Sequence, residues 1–201
     1  MSVMNRTAGY TLVELMVTIA VLGILGAVVI NSGIDAWRAE QAKAAVTDLS
    51  SWLEEIRSSG ASQDISCRVT INTGSSLASQ SVLATVQAID PETNSAATGV
   101  TCGTGNPLRL PGIGGNATFG VATSFASTSP PNTFSFTPRG AISTDNVGST
   151  LASSFLSIRI SLGGQVPLRC VRLSGMLGLV RLGSNNSTGS TSSECTTWGQ
   201  V

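Results

Sequence analysis

Gly9-Tyr10-Thr11-Leu12-Val13-Glu14, leading into an uncharged run over residues 15–34, is the stretch on which the reading of this chain turns. Roughly 20 apolar residues is about what a helix needs to span a bilayer. Ahead of it lies a short polar leader, residues 1–9, whose one charge is Arg6. An ordinary secretory signal has a shorter apolar segment, placed before its cleavage site and then removed. Here Gly9, the small residue suited to cleavage, precedes the apolar run. A cut after it keeps the hydrophobic helix in the mature chain. Arg6 favours the cytoplasm for its own end and places residues beyond about 35 on the other side.

Glu14 is the odd residue of this stretch. A carboxylate at the edge of an apolar span costs a few kcal/mol, so it calls for a named partner. Cleavage after Gly9 creates one, the α-amino group of Tyr10. Four positions along a helix is one turn, so the amine of one subunit can meet Glu14 of an axially shifted neighbour. Pairing cancels two charges and sets a register. The other open reading is a helix-capping or interfacial Glu near the membrane surface.

The helical pattern continues past the apolar run. Ala42, Ala45, Val46, Leu49, Leu53 and Ile56 recur at intervals of three and four, one apolar stripe on a polar segment. Asp35, Arg38, Glu40, Lys43, Asp48, Glu54 and Arg57 fill the other faces, and Gly60 fits a C-terminal stop. From Thr11 to Arg57 this reads as one helix of roughly 70 Å at 1.5 Å per residue.

Beyond Gly60 the pattern changes to short β-like runs separated by Gly, Ser, Asn and Pro. Expected strands cover residues 65–72, 82–89, 118–123, 133–137, 155–162, 168–173 and 177–182. Alternation is clearest in Phe134/Phe136 and in Leu156, Ile158, Ile160 and Leu162. Residues 90–105, 127–132 and 184–193 read as loops, the last polar and of low complexity. The fold class expected is α+β, a long N-terminal helix packed on an all-β, sandwich-like C-terminal domain. The organisation is a leader over 1–9, a membrane and assembly segment over 10–34, an amphipathic segment over 35–59 and a β-rich head over 60–201.

Four cysteines, Cys67, Cys102, Cys170 and Cys195, fall in the expected head. None forms a CxxC pair and the chain has no His, which argues against a zinc site. Two disulfides suit an oxidising compartment, and four cysteines allow three connectivities. Pairing the nearest in sequence gives Cys67–Cys102 and Cys170–Cys195, the second tying down the polar tail. Free buried cysteines are the alternative.

The missing His also removes the commonest general base, so a conventional nucleophile triad cannot be built. Gly112-Ile113-Gly114-Gly115 and Gly103-Thr104-Gly105 lack the Lys-Ser/Thr and the helix of a phosphate loop. Asp90 and Glu92 flank Pro91 and read as a turn. No enzyme, cofactor or metal is expected. The formal net charge is zero, but it is unevenly spread. From Val100 onward six Arg (109, 139, 159, 169, 172 and 181) face two acids, Asp145 and Glu194. That field could attract an anionic polymer, or be scattered solvated Arg on strands.

Gly9-Tyr10-Thr11-Leu12-Val13-Glu14 and the run after it resemble the class III signal of type IV pilins and type II secretion pseudopilins, with Tyr in place of the usual Phe. The resemblance implies that a membrane aspartyl peptidase cuts between Gly9 and Tyr10, that Tyr10 is then N-methylated, and that Glu14 directs subunit docking. It implies partners too: other pilin or pseudopilin subunits, the prepilin peptidase and an inner-membrane assembly platform. The expected location is the bacterial inner membrane, single-pass with a periplasmic head, and then a pilus, a pseudopilus or the cell surface. In resembling filaments a helical stretch melts on assembly. Gly23, Gly26 and Gly33 weaken the helix locally and residues 23–31 are where that melting is expected here, close helix packing being the other reading of these glycines.

Residues 133–183 are similar to the C-terminal half of the H-type pseudopilin (GspH) and FimT minor-pilin family. The similarity rests on Phe134-Ser135-Phe136-Thr137-Pro138-Arg139-Gly140, an alternating strand, Arg169-Cys170-Val171-Arg172-Leu173 and Gly178-Leu179-Val180-Arg181. That family often ends in Gly-Arg-x-Arg. This chain has Leu179 at the first Arg and keeps Arg181. In DNA-uptake members basic residues near that motif bind DNA, which makes Arg169, Arg172 and Arg181 the candidate nucleic-acid contacts. A minor pilin or pseudopilin is the function expected, with DNA capture as the alternative.

Overall fold

The computed structural model describes residues 10–90, 92–93, 95–114, 116–124, 132–144, 155–187 and 193–199, except for the side chains of residues 27–32. The expected leader, Gly9 included, and most of the 127–132 and 184–193 loops lie outside the described residues. The chain divides into two compact units, Met1–Trp37 and Arg38–Val201. Helix α1, Leu12–Gln63, contributes to both.

In the first unit α1 starts because Thr11 caps it. The Thr11 carbonyl accepts from the Leu15 N–H (3.2 Å) and the Thr11 hydroxyl from the Glu14 N–H (3.3 Å). Thr11-x-x-Glu14 has the spacing of a capping box, and Oγ1 satisfies one of the N–H groups that a helix start leaves without an intrahelical partner. From Leu12 to Leu25 the large apolar side chains are exposed on every face. A helix that is hydrophobic all round belongs in a membrane or a protein core. Among the described residues no helix is long and apolar enough to cross a membrane. The expected span over 10–34 includes residues 27–32, whose side chains are not described.

The second unit is an α+β fold. Ala42, Ala45, Val46, Leu49, Trp52, Leu53 and Ile56 are buried along one face of α1, the spacing that puts them on one stripe. From Ala45 onward they share a single core with the inner faces of two antiparallel sheets. The strands, in chain order, are β1 (Ser66–Ile71), β2 (Gly74–Ala78), β3 (Val82–Ile89), β4 (Leu108–Arg109), β5 (Thr118–Thr123), β6 (Thr133–Phe136), β7 (Ile142–Ser143), β8 (Phe155–Leu162), β9 (Leu168–Ser174), β10 (Val180–Asn185) and β11 (Thr197–Trp198). One sheet has the order β4-β3-β1-β6-β7 and the other β11-β10-β9-β8-β5-β2. Cys67 and Val69 on β1 face Phe136 and Phe134 on β6, whose rings meet edge to face at 5.5 Å.

Three local features differ from the sequence expectation. The helix ends at Gln63, not at Gly60. The Ile65 N–H reaches back to the Gly60 carbonyl (3.1 Å) and Asp64 adopts φ 55°. That is a Schellman-type close with Asp64 in the left-handed position usually taken by Gly. Gly60 serves a different need: a Cβ there would lie 3.1 Å from the Ile65 carbonyl oxygen and 3.2 Å from Cys67 Sγ. The last long strand begins at Val180 instead of Leu177, because residues 175–179 form the β9–β10 turn. Gly178, at φ 59°, has no room for a side chain against the Gly140 carbonyl.

The third difference lies in β8. Its chemistry alternates as expected, yet both faces are buried. Leu156, Ile158, Ile160 and Leu162 enter the core, while Ser157, Arg159 and Ser161 are buried on the opposite face. The C-terminal segment covers part of that face. Arg159 donates to Glu194 Oε1 (3.0 Å) and to the Ser193 carbonyl (3.4 Å), and Asn185 Nδ2 to the Glu194 carbonyl (2.9 Å).

Candidate assembly segment and arginine surface

Thr11, already identified as the cap, fixes where the candidate assembly residues Tyr10 and Glu14 sit. Tyr10 precedes the first helical turn and is 81% exposed. Glu14 lies in that turn with its side chain exposed and, among the described residues, without a partner. Four residues of helix correspond to about 6 Å of axial rise. An amine at Tyr10 and a carboxylate at Glu14 thus differ in height by about one turn. The Glu14 backbone N–H donates the capping hydrogen bond to the Thr11 hydroxyl, and the carboxylate takes no part in it.

The cysteines pair as Cys67–Cys102 and Cys170–Cys195, with Cα separations of 5.9 and 6.3 Å, within the usual range. The first joins β1 to the loop after β3. The second anchors the C-terminal segment to the outer face of β9, where Leu168, Cys170 and Cys195 make a small second apolar cluster with Val166 and Trp198 packed on it. Asp90 Oδ1 accepts from the Glu92 N–H (2.8 Å), the turn expected there. Among the described residues no three acidic or cysteine side chains converge to hold a metal.

The three candidate arginines are separated by strand register. Arg169 pairs across from Ile160 on the core face of the sheet and is 8% exposed. Its Nη1 donates to Asn186 Oδ1 (2.7 Å) and to the Leu168 carbonyl (2.9 Å). Burial pulls its guanidinium below the ordinary value, and the Glu40 carboxylate works in the opposite direction. Arg169 is therefore withdrawn from the surface. Arg172, one position from the next residue on that face, points outward and pairs across from Arg181. Its guanidinium lies 4.0 Å from the Phe155 ring centroid and 3.6 Å from that of Trp198. Arg181 is exposed and lines a recess of about 380 Å³ with Val180, Leu182, Trp198 and Gly199.

Sequence reasoning singled out Arg172 and Arg181 but missed the two aromatic rings around the first. Trp198 gave no signal by itself, lying in a tail that reads as polar. Its placement follows from the Cys170–Cys195 bond, which fixes the tail beside β10.

Residues 4–30 match the family model described as the prokaryotic N-terminal methylation motif. No curated protein matches the chain. Among solved structures the chain is similar to the type IV minor pilin FimU of Pseudomonas aeruginosa. The identity is 15% and the TM-score 0.44, over 79% of this chain and 95% of that one. The methylation motif thus heads a capped helix whose described apolar side chains, over residues 12–25, are exposed on every face.

Proposed function

We propose that the chain is a minor pilin or pseudopilin, a structural subunit that primes or decorates a type IV pilus or a type II secretion pseudopilus. The observation that carries this is the methylation motif at residues 4–30 on a helix whose apolar side chains over residues 12–25 no part of the described chain covers. Leaving so many large apolar groups in water would cost on the order of 1.5–3 kcal/mol for each side chain left uncovered. Lipid covers them first and neighbouring subunits cover them later. A prepilin peptidase cuts between Gly9 and Tyr10 and methylates the new amine. The subunit waits in the bacterial inner membrane as a single span with its head in the periplasm, and the assembly platform draws it into the filament. Residues 133–183 support the minor branch by their similarity to the GspH/FimT pattern.

Glu14 sets the register in this reading. Its carboxylate meets the Tyr10 amine of the neighbour one helical turn away, which removes two charges from an apolar setting. Glu14→Ala should still be cleaved and reach the membrane, but should fall out of the filament fraction. Normal incorporation of the variant would sink the Glu14–amine mechanism.

A second reading, DNA capture for natural transformation, rests on Arg181 and Trp198 sharing one recess, a pairing that suits phosphate beside a stacked base. It is the weaker one, since Arg169 is buried and Arg172 is held between two rings. Residues 38–201 contain the whole core and both disulfides, so they form the piece to test. Retention on DNA that falls steeply with salt would support this reading. Absence of retention would remove it.

A further inference from the structure

The three tryptophans of the chain sit in three different surroundings. Trp52 is buried in the head core and donates from Nε1 to the Asn106 carbonyl (3.3 Å). Trp198 is half-buried and lies over the Arg172 guanidinium. Trp37 is 45% exposed on α1, and among the described residues it has neither a hydrogen bond nor a ring contact. Ile34, one turn earlier on the same face, is exposed as well. An indole joins a large apolar body to one N–H donor, so it is best placed where one side is apolar and the other wet.

The sequence around Trp37 has the pattern of such a boundary. Residues 15–34 carry no charge, and charges resume at once with Asp35, Arg38, Glu40 and Lys43. No aromatic residue occurs between Tyr10 and Trp37. Within the first unit α1 runs from Leu12 to Trp37 without a break. Glu14 and Trp37 are therefore separated by about 35 Å of helix at 1.5 Å per residue. The hydrocarbon core of a bilayer is about 30 Å thick, and about 40–45 Å with its polar interfaces. An average tilt of about 20° shortens the separation to about 32 Å, still more than the core. With Trp37 at one interface, Glu14 falls at the other, where water can hydrate its carboxylate.

We propose that Trp37, with Ile34 beside it, docks in the lipid–water interface on the head side and sets the depth of the helix, holding Glu14 at the opposite interface. The partner is the ester and headgroup layer of a bilayer. It takes the indole ring among the upper acyl chains and accepts from Nε1. The change from uncharged to charged sequence at this level selects a bilayer edge, since a protein neighbour requires no such change there. The inference rests on the membrane-span part of the proposed function and adds the register of the helix in the bilayer. Glu14 has a consequence to bear. Before assembly its carboxylate stays hydrated without a protein partner, and the Tyr10 amine of a neighbour is needed only when the helix leaves this depth.

The test uses the full chain, purified from membranes of producing cells and returned to vesicles of phosphatidylethanolamine and phosphatidylglycerol. Lipids brominated near the headgroup or near the chain ends quench Trp emission according to depth. The emission of Trp37 is the difference between the chain and its Trp37→Phe variant. It should fall about twofold with the shallow bromine and little with the deep one, as an interfacial ring does. A charged maleimide, supplied on both faces, should label Glu14→Cys about tenfold faster than Leu25→Cys, because only a hydrated thiol ionises readily. Adding Trp37→Ala should change that ratio, since the helix loses the group that fixes its depth. Stronger quenching by the deep bromine, or quenching by aqueous iodide alone, would overturn the proposal. So would quenching by neither, the mark of a protein neighbour, or a labelling ratio near one or unmoved by Trp37→Ala. Alkaline extraction is read on the same membranes. A chain that alkali releases defeats the membrane reading itself, whereas one that stays, with Trp37 outside the interface, defeats the anchor alone.

Discussion

Residues 12–25 and residues 42–56 are two stretches of one helix that treat apolar side chains in opposite ways. In the first, Leu, Ile, Val and Met occupy every face and all are exposed; in the second, a single stripe of comparable residues is fully buried against β-strands. Backbone conformation does not explain the contrast, since both are α-helical. The explanation is the polar complement. Asp48, Glu54, Lys43 and their neighbours give the second stretch a solvent face, while the first has only Glu14 and Thr18 to offer water. A stripe needs one partner surface. A helix apolar all round needs surroundings on all sides, and the described chain provides none.

The comparison can be broken most sharply in the buried stripe. In residues 38–201, Leu53→Ala should cost about 2–5 kcal/mol by urea unfolding, as buried Leu→Ala changes do. A cost below about 1 kcal/mol would mean the stripe is not part of a packed core. Next in size, replacing Cys170 and Cys195 together by Ser should cost about 2–4 kcal/mol, since the bond closes a loop with a sequence separation of 25. Trp198→Ala should cost about 0.5–2 kcal/mol, the range of a partly desolvated cation–π contact, and should free Arg172 to bind anions. The smallest effect is expected in the exposed stretch. Leu22→Ala in the full chain should leave the head's unfolding midpoint, followed by Trp fluorescence, unchanged. A shift comparable to that of Leu53→Ala would erase the distinction between the two stretches.

Both stretches were legible in the sequence because a helix writes its surroundings in a short local period. The stripe from Ala42 to Ile56 and the unbroken run after Glu14 could be read without any long-range information. Seven strands, β1, β3, β5, β6, β8, β9 and β10, were also legible, since Val, Ile, Phe and Leu alternate between turn residues. β2 was not, because Gly74-Ser75-Ser76-Leu77-Ala78 has the composition of a loop and is a strand only through its pairing with β5. β11 has two residues and depends on the Cys170–Cys195 bond for its place. At the candidate site the order along the chain located Tyr10 and Glu14, but it could not tell Arg169 from Arg172. Their environments differ by strand parity, which follows only from the register of β9 against β8. The burial of Ser157, Arg159 and Ser161 was hidden for the same reason. Alternation announces which residues face the core and says nothing of what covers the other side.

The central claim is that the chain is cut after Gly9 and that the retained helix is the assembly segment. Mass spectrometry of the mature N-terminus tests it most directly, on protein recovered from membranes of cells with the leader peptidase intact or deleted. The account predicts a chain beginning at N-methylated Tyr10 in the first sample and absent from the second. A chain that still begins near Met1 in both would contradict it and leave a plain single-span membrane protein.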